Sequence, residues 1–314
     1  MAFAMVFPGQ GSQSVGMLDD LAQRYACIQQ TFVEGSDAIG LDLWRLATTG
    51  PEEQLAMTAI TQPIMLCAGV ATWRAWCESS PPSPAFLAGH SLGEYAALVA
   101  AQALDLATAT RLVHSRGTFM QEAVPVGEGA MAAIIGLDAA RIAELCAGVE
   151  GEVSVANYNS PQQTVISGAT AAVDQAVELA RAAGAKRVTL LPVSAPFHCA
   201  LMQPAADALR PLLDDAPIQA PRLPVVHNVD LSISTRADDV RAALFRQIAS
   251  PVRWVESIRL MAEQGVTVFV ESGPGKILTG LGKRICPEQS HHSIHDVDSL
   301  LGTVETLTAP GAPE

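Results

Sequence analysis

The sequence predicts an α/β protein with an open, mainly parallel β-sheet and a second, smaller α/β unit inserted into it. Three observations support this class. Short apolar runs that fit buried strands alternate with helical stretches along most of the 314 residues. A Gly-rich turn at 89–93 joins one such strand directly to a helix. Between residues 129 and 191 the predicted elements follow the order β-α-β-β-α-β.

The composition describes a well-packed globular chain. Of the 314 residues, 49% are hydrophobic and 16% are charged, which suits one large domain that carries a smaller one. No apolar run is long enough to cross a bilayer, and no basic segment precedes an apolar one at the N-terminus, so we expect a cytoplasmic protein. The six cysteines include no CxxC pair, which argues against a zinc site and a disulfide framework.

The charge balance restricts the partners. The formal net charge is −13, and the chain contains only three lysines. An acidic surface of this kind repels nucleic acid and anionic membranes, so we expect neither as a partner. We expect the protein to be a monomer.

The first third of the chain is predicted to alternate strands with helices. Strands are predicted at 2–7 and 86–88, and helices at 17–39, 51–78, 92–106 and 105–122. The Gly-x-Gly after the first strand lacks the residues of a phosphate loop, so Gln10 is expected to offer a backbone N–H or its amide to a site. Pro63 lies in the second helical stretch, where it can begin a helical turn with Gln62 just before it.

The middle third carries the clearest architecture. Strands are predicted at 129–136, 153–158, 164–167 and 187–191, and helices at 139–147 and 171–183. This is the ferredoxin-like pattern, and it predicts an inserted small domain at 127–196 within a large α/β domain made of 1–126 and 197–314. Residues 157–161 are predicted to form the turn between the two middle strands, because asparagine suits turns.

The last third returns to the large domain. Helices are predicted at 200–213, 238–250 and 250–264 and after Lys276, and strands at 223–229 and 266–270. After Cys286 the composition becomes polar, and irregular structure is expected there.

The main chemical signal is Gly-x-Ser-x-Gly at 89–93. Its glycines permit a sharp strand-to-helix turn that pushes Ser91 out over the end of the sheet, as in the nucleophile elbow of an α/β-hydrolase-like domain. The helix that follows offers free N–H groups to an oxyanion. The alternative is an ordinary Gly-rich turn with a solvated serine.

A serine nucleophile needs a base, which is most often histidine. Among the seven histidines we select His198, because a proline fixes its loop, while no buried Asp or Glu stands out as a third member. Arg116 is spaced four residues from both Leu112 and Met120, beside the apolar stripe of its helix. A buried arginine requires an anion, which is either an internal carboxylate or an anionic substrate.

Eight motifs then occur in a fixed order along the chain. They are Phe7 to Gln13, Thr61-Gln62-Pro63, Gly89 to Tyr95, Arg116-Gly117, Asn157 to Pro161, Phe197 to Met202, Gln247 with Pro251 to Trp254, and Gly273 to Lys276. The set resembles the bacterial malonyl-CoA:acyl carrier protein transacylases, and the resemblance extends from about residue 4 to residue 300.

The resemblance implies an acyltransferase with a ping-pong mechanism. Ser91 would attack the thioester of malonyl-CoA while His198 takes its proton, and Gln247 would orient His198 through its main-chain carbonyl. The N–H groups of Gln10 and Leu92 would form the oxyanion hole. The malonyl-serine ester would then pass its malonyl group to the phosphopantetheine thiol of acyl carrier protein, which supplies fatty acid synthesis.

The resemblance also implies substrate-binding residues. Arg116 would bind the free carboxylate of the malonyl group bidentately, with Gln62 beside it. Asn159 would lie near the path of the pantetheine, and Phe197 resembles the residue found in malonyl-selective members. No metal and no cofactor is implied, because malonyl-CoA is a substrate.

Other interpretations stay open at this stage. A stand-alone acyltransferase that serves a polyketide synthase or another carrier protein would share these motifs. Gly-x-Ser-x-Gly alone also fits a serine hydrolase or thioesterase, in which water discharges the acyl-serine. A catalytically silent module that binds a carrier protein would tolerate the loss of Ser91.

Overall fold

The computed structural model describes residues 2–79, 81–193 and 195–309, whose strands form two separate sheets. The strands are β1 (Phe3–Phe7), β2 (Phe86–Gly89), β3 (Gly129–Ile135), β4 (Val153–Ser160), β5 (Gln163–Ala169), β6 (Arg187–Leu190), β7 (Val225–Val226), β8 (Val268–Ser272) and β9 (Ser290–Ile294). The helices are α1 (Asp19–Arg24), α2 (Ala26–Ile39), α3 (Leu43–Thr49), α4 (Glu52–Leu55), α5 (Thr58–Glu78), α6 (Gly93–Ala100), α7 (Leu106–Glu122), α8 (Ala139–Ala147), α9 (Thr170–Ala182), α10 (Gln203–Asp215), α11 (Ala237–Gln247), α12 (Trp254–Glu263), α13 (Ile277–Ile285) and α14 (Val297–Thr308), with a short 3-10 helix at Ala200–Met202. None of the helices in these described ranges combines the length and the apolarity that a membrane span requires.

The larger sheet has five parallel strands in the order β7-β2-β1-β8-β9. Alternate residues of β1 enter different cores, since Met5 packs with α2, α5 and α7 whereas Val6 packs with α12 and α13. Because helices cover both faces, the central strand β1 is apolar along its whole length, as buried parallel strands usually are. The predicted fold class is confirmed.

The smaller sheet has four strands in the order β4-β5-β3-β6, and every neighbouring pair is antiparallel. Helices α8 and α9 share its hydrophobic core. The sequential order of these elements is the predicted β-α-β-β-α-β. The domain limits at 127 and 196 stay a prediction.

The prediction of a turn at 157–161 was wrong, because Asn157 and Asn159 lie within strand β4. The register of β4 against β5 shifts between Val155 and Asn157, and again between Tyr158 and Ser160. Such bulges let a strand continue past residues that would otherwise end it. The turn therefore occupies only residues 161–162.

The prediction of irregular structure after Cys286 was also wrong, because β9 and α14 lie there. Strand β9 pairs with β8 at the edge of the sheet, and its His291 stacks on Phe269 with the ring centroids 5.2 Å apart. An edge strand is only half-buried, so it needs no apolar run to signal it. The predicted strand at 223–229 shortens to β7, which has two residues.

Helix α5 runs through Pro63, which was expected to begin a helical turn. Proline has no N–H, so the carbonyl of Ala59, four residues earlier, loses its helical donor. His114 of the neighbouring helix α7 replaces that donor, with its Nδ1 3.0 Å from the Ala59 oxygen. This contact fastens α7 to α5 two residues from Arg116.

Candidate active site

Strands β1 and β2 place two loops at the same edge of the parallel sheet. Phe7 and Gly89 are paired at the carboxyl ends of these strands, where open α/β sheets form their sites. The elbow after β2 holds Ser91 at a φ of 50°, in the left-handed region. A Cβ on Gly89 would overlap the backbone of Gly93, and a Cβ on Gly93 would overlap the carbonyl oxygen of Phe7. Both motif glycines are therefore required by close backbone contact.

The hydroxyl of Ser91 lies beside the imidazole of His198, with 2.7 Å between Oγ and Nε2. The other ring nitrogen, Nδ1, lies 3.0 Å from the main-chain oxygen of Gln247 and 3.2 Å from that of Ser250. Carbonyl oxygens only accept hydrogen bonds, so Nδ1 carries the proton and the lone pair of Nε2 faces Ser91. A neutral His198 is thus oriented to accept the serine proton.

The surroundings of His198 keep its ring neutral. Burial, followed by the positive charge of Arg116, lowers the pKa of His198 to about 3. The carbonyl acceptors of Gln247 and Ser250 oppose this shift without cancelling it. At neutral pH the imidazole is therefore unprotonated and available as a base.

Arg116 of α7 is almost fully buried at 1% exposure. Its Nη1 donates to Oε1 of Gln62 at 2.8 Å, and its Nη2 donates to Oε1 of Gln247 at 3.0 Å and to Oγ of Ser91 at 3.2 Å. No Asp or Glu within the described ranges forms an ion pair with it. The guanidinium therefore has only neutral partners among the described residues, and it lines a cavity in which an anion can bind.

The cavity in front of Ser91 has a volume of about 360 Å³. It is lined by Gln10, Gly11, Gln13, Ala56, Gln62, His90, Ser91, Leu92, Arg116, Met120, Met131, Asn157, Leu191, Pro192, Val193, Phe197 and His198. The backbone N–H groups of Gln10 and Leu92 donate no hydrogen bond to another residue of the described chain. Both residues line the cavity, so their N–H groups are available as candidates for an oxyanion hole.

Of the remaining predicted residues, two line the cavity and one does not. Phe197 and Gln62 line it directly. Asn159 lies one layer behind it, with its Oδ1 2.8 Å from Nε2 of His90. Asn157, which the sequence suggested only as a turn residue, lines the cavity instead. The strand register places the second asparagine away from the opening.

Three buried polar residues beside the site were missed from the sequence. Glu94, the second residue of α6, is fully buried and contacts His227, Asn228 and Gln247. Asn228 in turn accepts from the N–H of Ser91 at 2.7 Å and donates to the oxygen of Gly89 at 2.8 Å, which holds the elbow. The signal was Glu94 directly after the motif, but an acid in the first turn of a helix is ordinarily explained by the helix dipole.

The Glu94 cluster carries charge into the protein. Burial lowers the pKa of His227, but the charge of Glu94, its hydrogen bond at 2.7 Å from Nδ1 and the charge of Asp230 together raise the pKa above its ordinary value. Elsewhere in the described ranges, no three His, Cys, Asp or Glu side chains converge in the way that a metal site requires. The site as a whole combines a nucleophile, a base, two N–H donors and a cation, which suits transfer of an anionic acyl group.

Comparisons with known proteins agree with this chemistry. Residues 4–300 match the family described as acyl transferase domain. The malonyl CoA-acyl carrier protein transacylase of Escherichia coli strain K12 is 52% identical over 305 residues, which are 96% of this chain and 99% of the relative. The structure of the malonyl CoA-acyl carrier protein transacylase from Coxiella burnetii is 48% identical, with a TM-score of 0.97 and 98% of each chain covered. A malonyl-transacylase solved in complex with its type II PKS acyl-carrier protein is 51% identical, with a TM-score of 0.96 over 98% of this chain and 100% of that one.

Proposed function

The chain belongs to the malonyl CoA-acyl carrier protein transacylases of the acyl transferase family, and on that basis we propose that it carries a malonyl group from malonyl-CoA to an acyl carrier protein through an ester on Ser91. It is an acyltransferase, and we propose that it serves fatty acid synthesis. Its monomeric state, its cytoplasmic location and the absence of a cofactor stay predictions.

The observation that carries this proposal is the position of Arg116. A buried guanidinium without a carboxylate partner lies 3.2 Å from the nucleophilic oxygen of Ser91. Burying a charge is unfavourable unless a counter-charge is supplied, so the site favours a substrate that brings one. A malonyl group carries a carboxylate one methylene from its thioester carbonyl, which matches the short distance between Arg116 and Ser91.

The first half-reaction follows from the hydrogen bonds. Nε2 of His198 takes the proton of Ser91 as Oγ bonds to the thioester carbon, and the N–H groups of Gln10 and Leu92 bind the developing oxyanion. When the C–S bond breaks, the imidazolium of His198 returns the proton to the departing CoA sulfur. The malonyl group is then left on Ser91 as an ester.

The second half-reaction is the reverse with a different thiol. His198 takes the proton from the phosphopantetheine thiol of acyl carrier protein, whose sulfur bonds to the ester carbon. Ser91 leaves and recovers its proton from the imidazolium. Exchange between an oxygen ester and a thioester changes the free energy far less than hydrolysis of either does, so efficient transfer requires that water be kept from the acyl-serine.

Intact mass measurement tests this proposal. After brief incubation with malonyl-CoA alone, the wild-type protein is expected to gain the mass of one malonyl group and to lose it when acyl carrier protein bearing its phosphopantetheine thiol is added. Parallel additions of carrier proteins from fatty acid and polyketide systems identify which one discharges the ester fastest. Accumulation of free malonate without an adduct would support a serine hydrolase instead, and no reaction at all would contradict both.

The low pKa of His198 predicts an unusual pH profile for malonyl loading. Since the pKa is lowered to about 3, the imidazole stays neutral and able to accept a proton at every pH well above that value. We therefore expect kcat/KM for acyl-enzyme formation, followed by rapid quench, to stay level from pH 8 to about pH 5, because kcat/KM reports groups of the free enzyme. A decline with its midpoint near the ordinary histidine value would contradict this expectation.

A further inference from the structure

Glu94 is a buried carboxylate that the reaction described above does not use. Its Oε1 accepts from Nδ1 of His227 at 2.7 Å, and its Oε2 accepts from the backbone N–H of Asn228 at 3.0 Å and from Nε2 of Gln247 at 2.9 Å. Burying a carboxylate completely is unfavourable unless hydrogen bonds compensate for the lost water, and here three donors do so. Its bond to Gln247 leads into the active site.

The contact with Glu94 determines which way the Gln247 amide points. Nε2 of Gln247 donates both to Glu94 and to the main-chain oxygen of Ser91 at 3.1 Å, and neither of these groups can donate in return. The amide oxygen must therefore face the other way, where Nη2 of Arg116 donates to it at 3.0 Å. A reversed amide would set its NH₂ group against the guanidinium and its oxygen against the carboxylate.

The same arrangement places a negative charge one amide away from Arg116. Burial lowers the pKa of Arg116, and the charges of Tyr95 and Glu94 oppose that shift. If a carboxylate contacted Arg116 directly, it would occupy the guanidinium and compete with a substrate anion. Because Gln247 stands between them, Glu94 supports the charge of Arg116 while the guanidinium stays free for a ligand.

We propose that Glu94 is a positioning residue for acyl selectivity, which fixes the Gln247 amide and thereby aims and electrostatically supports Arg116 toward the carboxylate of the acyl group. The inference rests on the proposed function. This proposed role differs from a purely structural role of Glu94, because a structural role would affect the loading of all acyl substrates equally.

The test compares malonyl-CoA with acetyl-CoA on Glu94→Gln. In one orientation, the new amide can keep its oxygen toward Asn228 and Gln247, while His227 changes tautomer to accept from its NH₂ group, so the hydrogen bonds survive and the charge is lost. We expect kcat/KM for malonyl loading to fall by on the order of tenfold, with a change of less than about threefold for acetyl loading. Equal losses for both substrates, or no loss for either, would overturn the proposal.

The matched control is Glu271→Gln. Glu271 is also fully buried and accepts from Leu278 and Thr279 at the start of α13, but it does not line the cavity. We expect this variant to lower the melting temperature while leaving the malonyl-to-acetyl ratio unchanged. A shift in the ratio in this control would show that loss of any buried carboxylate produces the effect, and would overturn the specific role of Glu94.

One further variant keeps the proposal testable if Glu94→Gln does not fold, and a double variant tests whether the effect depends on Arg116. Gln247→Met removes the amide between Glu94 and Arg116 but retains the main-chain oxygen that holds His198, so the same selective loss for malonyl-CoA is expected. In an Arg116→Ala background, Glu94→Gln is expected to change the ratio by less than about twofold, because the group on which it acts is absent. Selectivity that responds to Glu94 without Arg116 would overturn the inference. Wild-type protein that takes up no malonyl group would instead overturn the proposed function, and the inference with it.

Discussion

Replacing Ser91 with alanine is expected to reduce malonyl transfer to acyl carrier protein by at least ~10⁴-fold, because loss of a catalytic serine commonly has an effect of this size or larger. Among the described residues that line the cavity, Ser91 is the only one with a hydroxyl group. No other hydroxyl among these residues can receive the acyl group from the thioester. The change removes one oxygen and leaves the Cβ, so the elbow keeps its packing.

The measurement is steady-state transfer together with intact mass after incubation with malonyl-CoA. Ser115→Ala serves as the matched control, since Ser115 is on α7 and lines a different cavity. The control should load normally, whereas Ser91→Ala should show no adduct. Peptide mapping that finds the malonyl group on another residue, or an adduct that persists in Ser91→Ala, would contradict the assignment of the nucleophile.

Replacing Arg116 with alanine is expected to separate malonyl from acetyl substrates. Removing one partner of a buried, hydrogen-bonded charge pair costs roughly 2–5 kcal/mol, which corresponds to a loss of about 30-fold to several thousand-fold in kcat/KM for malonyl-CoA. Acetyl-CoA has no carboxylate to bind, so its loading should fall far less and the ratio should shift in its favour. The measurement is the initial rate of adduct formation with each CoA ester.

Two variants define what the arginine contributes. Arg116→Lys keeps a positive charge but loses the planar fork that binds a carboxylate bidentately, so an intermediate loss is expected. Arg111→Ala removes an exposed arginine on the same helix, whose Nη2 donates to Thr108. This variant should load malonyl-CoA and acetyl-CoA at the wild-type rates. Equal losses of malonyl and acetyl loading in Arg116→Ala would contradict the role of this residue in carboxylate binding.

The sequence predicts most of the fold because most elements bury an apolar pattern. Strand β1 and helix α8 appear where an apolar run and helical periodicity indicated them, and the Asp105 side chain caps α7 by accepting from the N–H of Thr108 at 2.7 Å. Strand β9 escaped prediction because its Ser-His-His-Ser stretch is polar. Its position depends on pairing with β8, which is a tertiary contact that local sequence does not encode.

The residues of the candidate site also differ in how far local sequence predicts them. Ser91 could be recognised locally, because it lies between two glycines that the sequence shows directly and that close backbone contacts require. The approach of His198 joins positions 107 residues apart, and that of Gln247 to Arg116 joins positions 131 residues apart. No periodicity reports such distances. His198 was selected because a proline fixes its loop, the role of Gln247 in orienting it came only from the resemblance, and the contact of Gln247 with Arg116 was not predicted. Glu94 was missed entirely, because its burial depends on His227 and Asn228 from a distant loop.

Backbone hydrogen bonds between the small sheet and the segment before α12 restrain how the enzyme can open. Strand β4 is fastened to Val252 by two backbone hydrogen bonds, from Val252 to Ala156 at 2.8 Å and from Tyr158 to Val252 at 3.0 Å. Two residues before Val252, the oxygen of Ser250 supports the imidazole of His198. If the small sheet moved away on this side, it would displace the Ser250 carbonyl oxygen that contacts His198. Opening on that side would therefore disturb one of the two carbonyl oxygens that hold Nδ1 of His198.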